Sequence, residues 1–295
     1  VGGRRKEDAA HGTKGAVAYQ YFQSGPVSCT AIFFATLVNE LSMRETVRAK
    51  SLAAYSSCAI GHSQGLASAA CLSFIRFSLR AIWAIFRQGL REQEASGLQS
   101  LLRGTDGRLR QSSMVALRGR PSAYLQSHSL GAAANIVNSE STVVCSGGPA
   151  LQLLKRLKGG AKRFEGVEAR PLPIPFASHS HELTPAMFRL LDELRCQGFP
   201  GRRVKAKLRV YPFAPGLNAR RRGPLDLWRI VVARQLTALM DFPSVVEQAA
   251  AEVCVTHAID MGPTDSSVAA RLLAGSGHVF PVLPLVAAAS WPAAP

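Results

Sequence analysis

Long apolar runs are missing from these 295 residues. No stretch of 18 apolar residues passes without a charge or a proline, and the longest apolar region, Val279–Ala289, is broken by Pro281 and Pro284. A helix crossing the hydrocarbon of a bilayer needs about 20 such residues, so the reading is a soluble chain with no membrane partner, expected in the cytoplasm. The six cysteines, at 29, 58, 71, 145, 196 and 254, form no CxxC pair, and no histidine stands at zinc-finger spacing. They read as reduced thiols filling core space, and no metal is expected. The basic start, Arg4, Arg5 and Lys6, lacks the apolar core of a signal peptide. Acidic residues are scarce, 19 against 35 lysines and arginines, for a net charge of +16. That excess suits nucleic acid, an anionic membrane surface or an acidic protein. Aromatic residues do not interleave with the clusters at Arg202, Arg203, Lys205 and Lys207 or at Arg220, Arg221 and Arg222, so a base-stacking platform is not expected.

Hydrophobic residues make up 47% of the chain and charged residues 18%, a balance that fits a globular enzyme rather than a solvated tail. The length suffices for one large domain carrying a smaller inserted one. Residues 1–18 read as a flexible lead-in, and the Ala-, Pro- and Trp-containing end reads as linker, which suits a domain cut from a longer multienzyme. Helical periodicity is predicted over Phe33–Arg48, with Phe34, Leu37, Val38 and Leu41 on one face, over Leu66–Phe74, over Ile75–Glu94 and over Leu183–Cys196. Gly97–Ser112 reads as a boundary. Short strands are predicted at Met114–Leu117, Ala134–Val137, Thr142–Ser146 and Arg170–Ile174, with helices at Ala123–Gln126 and Ala150–Lys158 between them. The order βαββαβ implies a small ferredoxin-like unit. Val255–Asp260 reads as a buried strand ending in a turn.

One segment carries chemistry on its face. Cys58, Ala59 and Ile60 form a short apolar run, and Gly61, His62, Ser63, Gln64 and Gly65 follow it before the helical pattern resumes at Leu66. Strand, GxSxG, helix puts a serine on a strained elbow with its hydroxyl projecting from the sheet. Both glycines are expected because side chains there would collide with the strand and the helix. The helix N-terminus supplies backbone donors for a developing oxyanion.

GHSQG followed by Leu66, Ala67, Ser68 and Ala69 resembles the acyltransferase elbow of fungal-type fatty-acid synthases and of the starter-unit acyltransferase domains of non-reducing polyketide synthases. The likeness continues at Pro26, Val27 and Ser28 and from Ser78 to Ala95. It also takes in Ile136, Val137 and Asn138 ahead of Val143, Val144, Cys145, Ser146 and Gly147, where Cys145 is an extra residue. Residues 172–186, LPIPFASHSHELTPA, line up on the histidine segment. The resemblance implies Ser63 as nucleophile, His179 as general base and His181 as a structural neighbour. A neutral imidazole has the pKa to take the serine proton near pH 7. It also implies a Ser-His dyad in which a backbone carbonyl rather than a carboxylate holds the imidazole. Gln64, through its backbone N–H, together with His62 and Asn138, is expected to face the oxyanion or the substrate. The second oxyanion donor of the family lies in a Gly-Gln-Gly loop, and no such loop precedes Val27. Asp260, Met261, Gly262 and Pro263 resemble a late turn of the family, or simply end a strand.

Malonyl-selective relatives place an arginine on the helix after the elbow to pair with the substrate carboxylate. Ala84 or Ile85 falls at that place here, which implies an acetyl or other uncharged starter group, and Arg87 nearby is the alternative partner for a carboxylate. The fold expected is α/β, an α/β-hydrolase-like large subdomain (19–111 and 177–290) with a ferredoxin-like insert (112–176). The activity implied is ping-pong transfer from acyl-CoA to the phosphopantetheine thiol of an acyl carrier protein or carrier domain, within a multienzyme and without a tightly bound cofactor. Two rivals stay open: a serine hydrolase or thioesterase with a Ser63, Asp192, His257 triad, and a catalytically impaired basic scaffold.

Overall fold

The computed structural model describes residues 25–46, 56–74, 79–95, 114–119, 134–146, 167–172, 177–199, 208–213, 224–262 and 266–283, with a few isolated positions between them. The lead-in, the boundary at 97–112, the helix at 123–126, both basic clusters and the C-terminal linker lie outside the described residues. Helix α1 (Gly25–Thr46) buries Cys29, Phe33, Leu37, Glu40 and Met43, one every three to four residues. Of the face predicted by periodicity only Leu37 is buried; Phe34, Val38 and Leu41 are 41%, 60% and 48% exposed. The helix is apolar around much of its circumference, so period alone cannot choose which stripe meets its neighbours.

Strand β1 (Cys58–Ala59) runs into the elbow, and helix α2 (Gly65–Phe74) leaves it. Leu66, Ala67, Ala69, Ala70 and Cys71 are all buried on α2, and the small side chains let this helix lie deep in the main core. Helix α3 (Leu79–Ala95) packs along α1 and buries Ala81, Ala84, Ile85, Gln88 and Glu92 on a single face. Two of those five are polar, which the apolar periodicity does not announce.

Strands β2 (Met114–Arg118), β3 (Ala134–Ser139), β4 (Thr142–Ser146) and β5 (Glu168–Pro171) follow. They lie in the order β5-β2-β4-β3, and every one of those neighbours is antiparallel. Counted from the first strand this is 4-1-3-2, the order a ferredoxin-like βαββαβ unit requires. Because side chains alternate along a strand, this sheet is a wall between two cores. Val115, Leu117, Val143 and Cys145 point into a small core with Ala150 and Leu154, whereas Met114, Val144 and Ile136 join the main one. Cys145 is thus a core side chain, its thiol pushed up to about 11 by burial. The last strand begins two residues earlier than predicted, at Glu168.

Helix α4 (Thr184–Cys196) buries Ala186, Leu190 and Leu194, and strand β6 (Arg209–Val210) pairs in parallel with β1. Helix α5 (Pro224–Thr237) packs on α2 and leads to β7 (Met240–Asp241), which joins β3 in parallel. The insert's sheet therefore continues into a strand from outside it. Helix α6 (Phe242–Glu252) is capped by Asp241, whose carboxylate accepts from Ser244 N–H at 3.2 Å. Strand β8 (Ala258–Ile259), helix α7 (Ser266–Gly275) and β9 (Val282–Leu283) complete the described chain, β8 and β9 pairing in parallel. The buried strand predicted over 255–260 is corrected: only Ala258 and Ile259 are strand, both half-buried, with β9 the sole pairing partner among the described residues.

Candidate functional site

The elbow is closed by its own backbone. Gly65 N–H donates to the His62 carbonyl and Leu66 N–H to the Ser63 carbonyl, each at 2.9 Å. Ser63 sits at φ 50, in the left-handed region that a non-glycine residue occupies at a cost of about 1–3 kcal/mol. A Cβ at Gly61 would run into the carbonyl carbon and oxygen of Gly65 and the nitrogen of Leu66, so no side chain fits there. Gly65 is different: nothing lies within 4 Å of a Cβ built on it, and the expected collision is absent.

Ser63 Oγ lies 3.1 Å from His179 Nε2, across 116 residues of sequence. His179 is 3% exposed and also left-handed, at φ 57. Burial lowers its pKa to about 4, nearby His62 adds to the shift, and the carbonyls of Arg234 and Ala238 oppose it. No acceptor completes a hydrogen bond with Nδ1 among the described residues, so those two carbonyls act on the ring by proximity. The ring also meets the edge of Phe213 at 5.6 Å. His179 is therefore neutral over the physiological range, the state in which imidazole accepts a hydroxyl proton.

His62 Nε2 contacts Asn138 Oδ1 at 2.7 Å, and its ring packs edge-on against Phe242. Burial lowers its pKa while Asn138 opposes the shift. The structure thus brings Ser63, His179, His62 and Asn138 together, with Asn138 holding His62. Gln64 turns its side chain to a buried carboxyl: its amide donates to Glu92 at 3.2 Å, as does that of Gln88 at 3.1 Å. Burial pushes Glu92 up to about 7, against both hydrogen bonds.

Ala84 and Ile85 are in the main core. Arg87, the alternative partner for a substrate carboxylate, has its guanidinium 2.9 Å from Glu193 and over the Trp83 ring. The alternative triad is not assembled: Asp192 pairs with Arg195 at 2.6 Å on the surface and His257 is exposed. His181 is likewise exposed, its carbonyl accepting from Thr184 Oγ1. Asp260 accepts from Gly262 N–H at 2.8 Å and closes a turn.

Three neighbours of the pair have no signature in the sequence. Ser63 N–H points to Met240 Sδ at 3.2 Å. Gln235, buried, donates its amide to the Ser63 carbonyl and sets its amide oxygen 3.2 Å from the Gln64 nitrogen. Asn135 donates to the carbonyls of Ser178 and His179 at 2.8 and 3.3 Å. Each is an ordinary residue in an ordinary segment, brought in by a distant element.

No protein-family model and no curated protein sequence matches the chain. Solved structures do. Malonyl-CoA:acyl carrier protein transacylase from Helicobacter pylori superposes with a TM-score of 0.67 at 18% identity, over 88% of this chain and 76% of that one. A malonyl-transacylase in complex with a type II polyketide synthase acyl-carrier protein gives 0.68 at 16% identity, over 91% and 82%. The acyltransferase domain of an iterative polyketide synthase of enediyne biosynthesis gives 0.61 at 23%, over 88% of this chain and 61% of that domain. The shared property is the fold: α/β, a large subdomain with a small ferredoxin-like one inserted.

Proposed function

We propose that this chain is an acyltransferase that moves an acyl group from coenzyme A to an acyl carrier protein through an ester on Ser63. The observation that carries the reading is the 3.1 Å contact between Ser63 Oγ and His179 Nε2 at a strained elbow. In this reading His179 takes the hydroxyl proton as Oγ attacks the thioester carbonyl, and the Gln64 N–H faces the oxyanion once the Gln235 oxygen gives way. The C–S bond then breaks and His179 returns the proton to the coenzyme A sulfur. In the second half the phosphopantetheine thiol of the carrier loses its proton to His179 and attacks the ester, and Ser63 recovers its hydroxyl. No tightly bound cofactor takes part. His62 and Asn138 line the approach, and Asn138 holds the His62 ring.

The acyl group is uncharged, acetyl or a similar starter, as in the starter-unit acyltransferases that the elbow resembles. Support comes from the apolar Ala84 and Ile85 and from the commitment of Arg87 to Glu193, since a buried substrate carboxylate without a cation would be costly. The chain acts as one domain of a cytoplasmic multienzyme, with residues 112–176 as the insert and 19–111 and 177–290 as the large subdomain. Its +16 charge docks coenzyme A phosphates and an acidic carrier, an attraction that salt weakens.

Intact-protein mass spectrometry after mixing with acetyl-CoA tests the reading. A mass gain of one acetyl group is expected, absent in Ser63→Ala, and its transfer to a carrier thiol separates a transferase from a thioesterase, which would release free acid. No gain with any CoA thioester would overturn the activity. Loading by malonyl-CoA as fast as by acetyl-CoA would overturn the selectivity.

A further inference from the structure

Asn135 touches neither Ser63 nor the His179 ring, yet it holds the segment that carries the ring. Its side chain is 4% exposed on β3. Nδ2 donates to the Ser178 carbonyl at 2.8 Å and to the His179 carbonyl at 3.3 Å, while Oδ1 accepts from Ser146 Oγ on β4 at 3.1 Å. Carbonyls only accept and the hydroxyl can donate, so one amide orientation satisfies all three bonds. The ring's own contacts are Ser63 Oγ at Nε2, the edge of Phe213 and the nearby carbonyls of Arg234 and Ala238. Its reach to Ser63 depends as well on the backbone that carries it, and that backbone is in the strained left-handed region at φ 57. The only other backbone bond from this turn to a distant element, among the described residues, is Ser180 N–H to the Leu236 carbonyl at 3.0 Å.

We propose that Asn135 is the positioning residue that sets His179 against Ser63, so that the insert's sheet supplies the register of the pair. The same strand reaches the elbow at its other end, where Asn138 meets His62, so β3 braces both halves. This deepens the acyl-transfer reading and rests on it.

The test is a double-mutant cycle between Asn135→Ala and His179→Ala. A displacement of a catalytic group by about 1 Å costs about 100-fold. Asn135→Ala is therefore expected to lower the rate of Ser63 acylation by acetyl-CoA about 100-fold, with KM changed less than about twofold. In the His179→Ala background it should cost nothing further, because there is no base left to position. A fluorophosphonate, which reports an activated serine without any acyl donor, should label Ser63 with the same pattern. If that pattern appears while no CoA thioester acylates Ser63, the positioning role stands and the acyl-transfer reading falls. An equal loss from Asn135→Ala in both backgrounds, no loss at all, or wild-type labelling no faster than that of His179→Ala would each overturn the proposal. Should Asn135→Ala fail to fold, Ser146→Ala removes only the hydroxyl that orients the amide. A smaller loss, about fivefold, with the same dependence on His179 is then expected, and independence from His179 overturns the role.

Discussion

Ser63 and His179, the two halves of the 3.1 Å contact, occupy the same unusual backbone conformation by different means. Ser63 is held at φ 50 chiefly by its own turn, through Gly65 N–H to His62, Leu66 N–H to Ser63 and the close approach at Gly61, with Met240 and Gln235 added from outside. His179 is held at φ 57 from afar, by Asn135 of the insert and by the Leu236 carbonyl that Ser180 contacts. A strain that contiguous residues maintain is compact in sequence. A strain maintained by distant elements is spread over the chain, and any of several positions can release it.

The largest expected effect breaks the pair directly: His179→Ala should slow acylation of Ser63 by about 10²–10⁴-fold, the usual worth of a general base, followed by mass spectrometry against time. An unchanged rate would mean that the elbow activates its serine alone. The next contrast lies inside the elbow. Gly61→Ala forces a Cβ into backbone and should cost about 3 kcal/mol or more in thermal or denaturant unfolding. Gly65→Ala should cost little or add up to about 1 kcal/mol, because the site is open and alanine restricts the unfolded chain. Equal penalties would show that the elbow is not closed on one side only.

Proton linkage sharpens the comparison further. With His179 pushed down to about 4, the acid limb of serine labelling should fall near that pH rather than near 6.5, the value of an exposed histidine. The sign for stability follows. The unfolded chain takes up the proton first, so the contribution of His179 is lost as pH falls from about 6.5 towards 4. Glu92, behind the elbow, runs the other way. Its carboxyl is raised to about 7, so the folded chain keeps a proton that the unfolded chain releases, and stability is lost as pH rises from about 4.5 through 7. Glu92→Gln should therefore gain on the wild type in Tm as pH rises from about 5 to about 8. A constant difference would mean that the carboxyl does not titrate in that range.

Much of the site was legible because its chemistry is local. The elbow needs glycine, serine and glycine in order between a strand and a helix, and the pattern GHSQG is contiguous. The histidine segment was found through its resemblance to a known family, since a lone histidine carries no signal. Strands β2 and β4 also read directly, as short apolar runs, because each feeds two cores. The face of α1 did not read, because an apolar helix offers several stripes and only the arrangement of α3 and the core selects one. Gln88 and Glu92 did not read either, since buried polar residues on an otherwise apolar face follow from what the elbow presents to them.

By itself the sequence determined the turn that carries Ser63, most of the described helices and strands up to Cys196 and the absence of a long apolar span. These depend on contacts within a few residues or on composition. Tertiary structure alone decided that His179, not His257, meets Ser63, that Arg87 is spent on Glu193, and that Asn135, Gln235 and Met240 surround the pair. Hydrogen bonds and burial act through space, and which distant residues they join is set by how the sheet and helices pack.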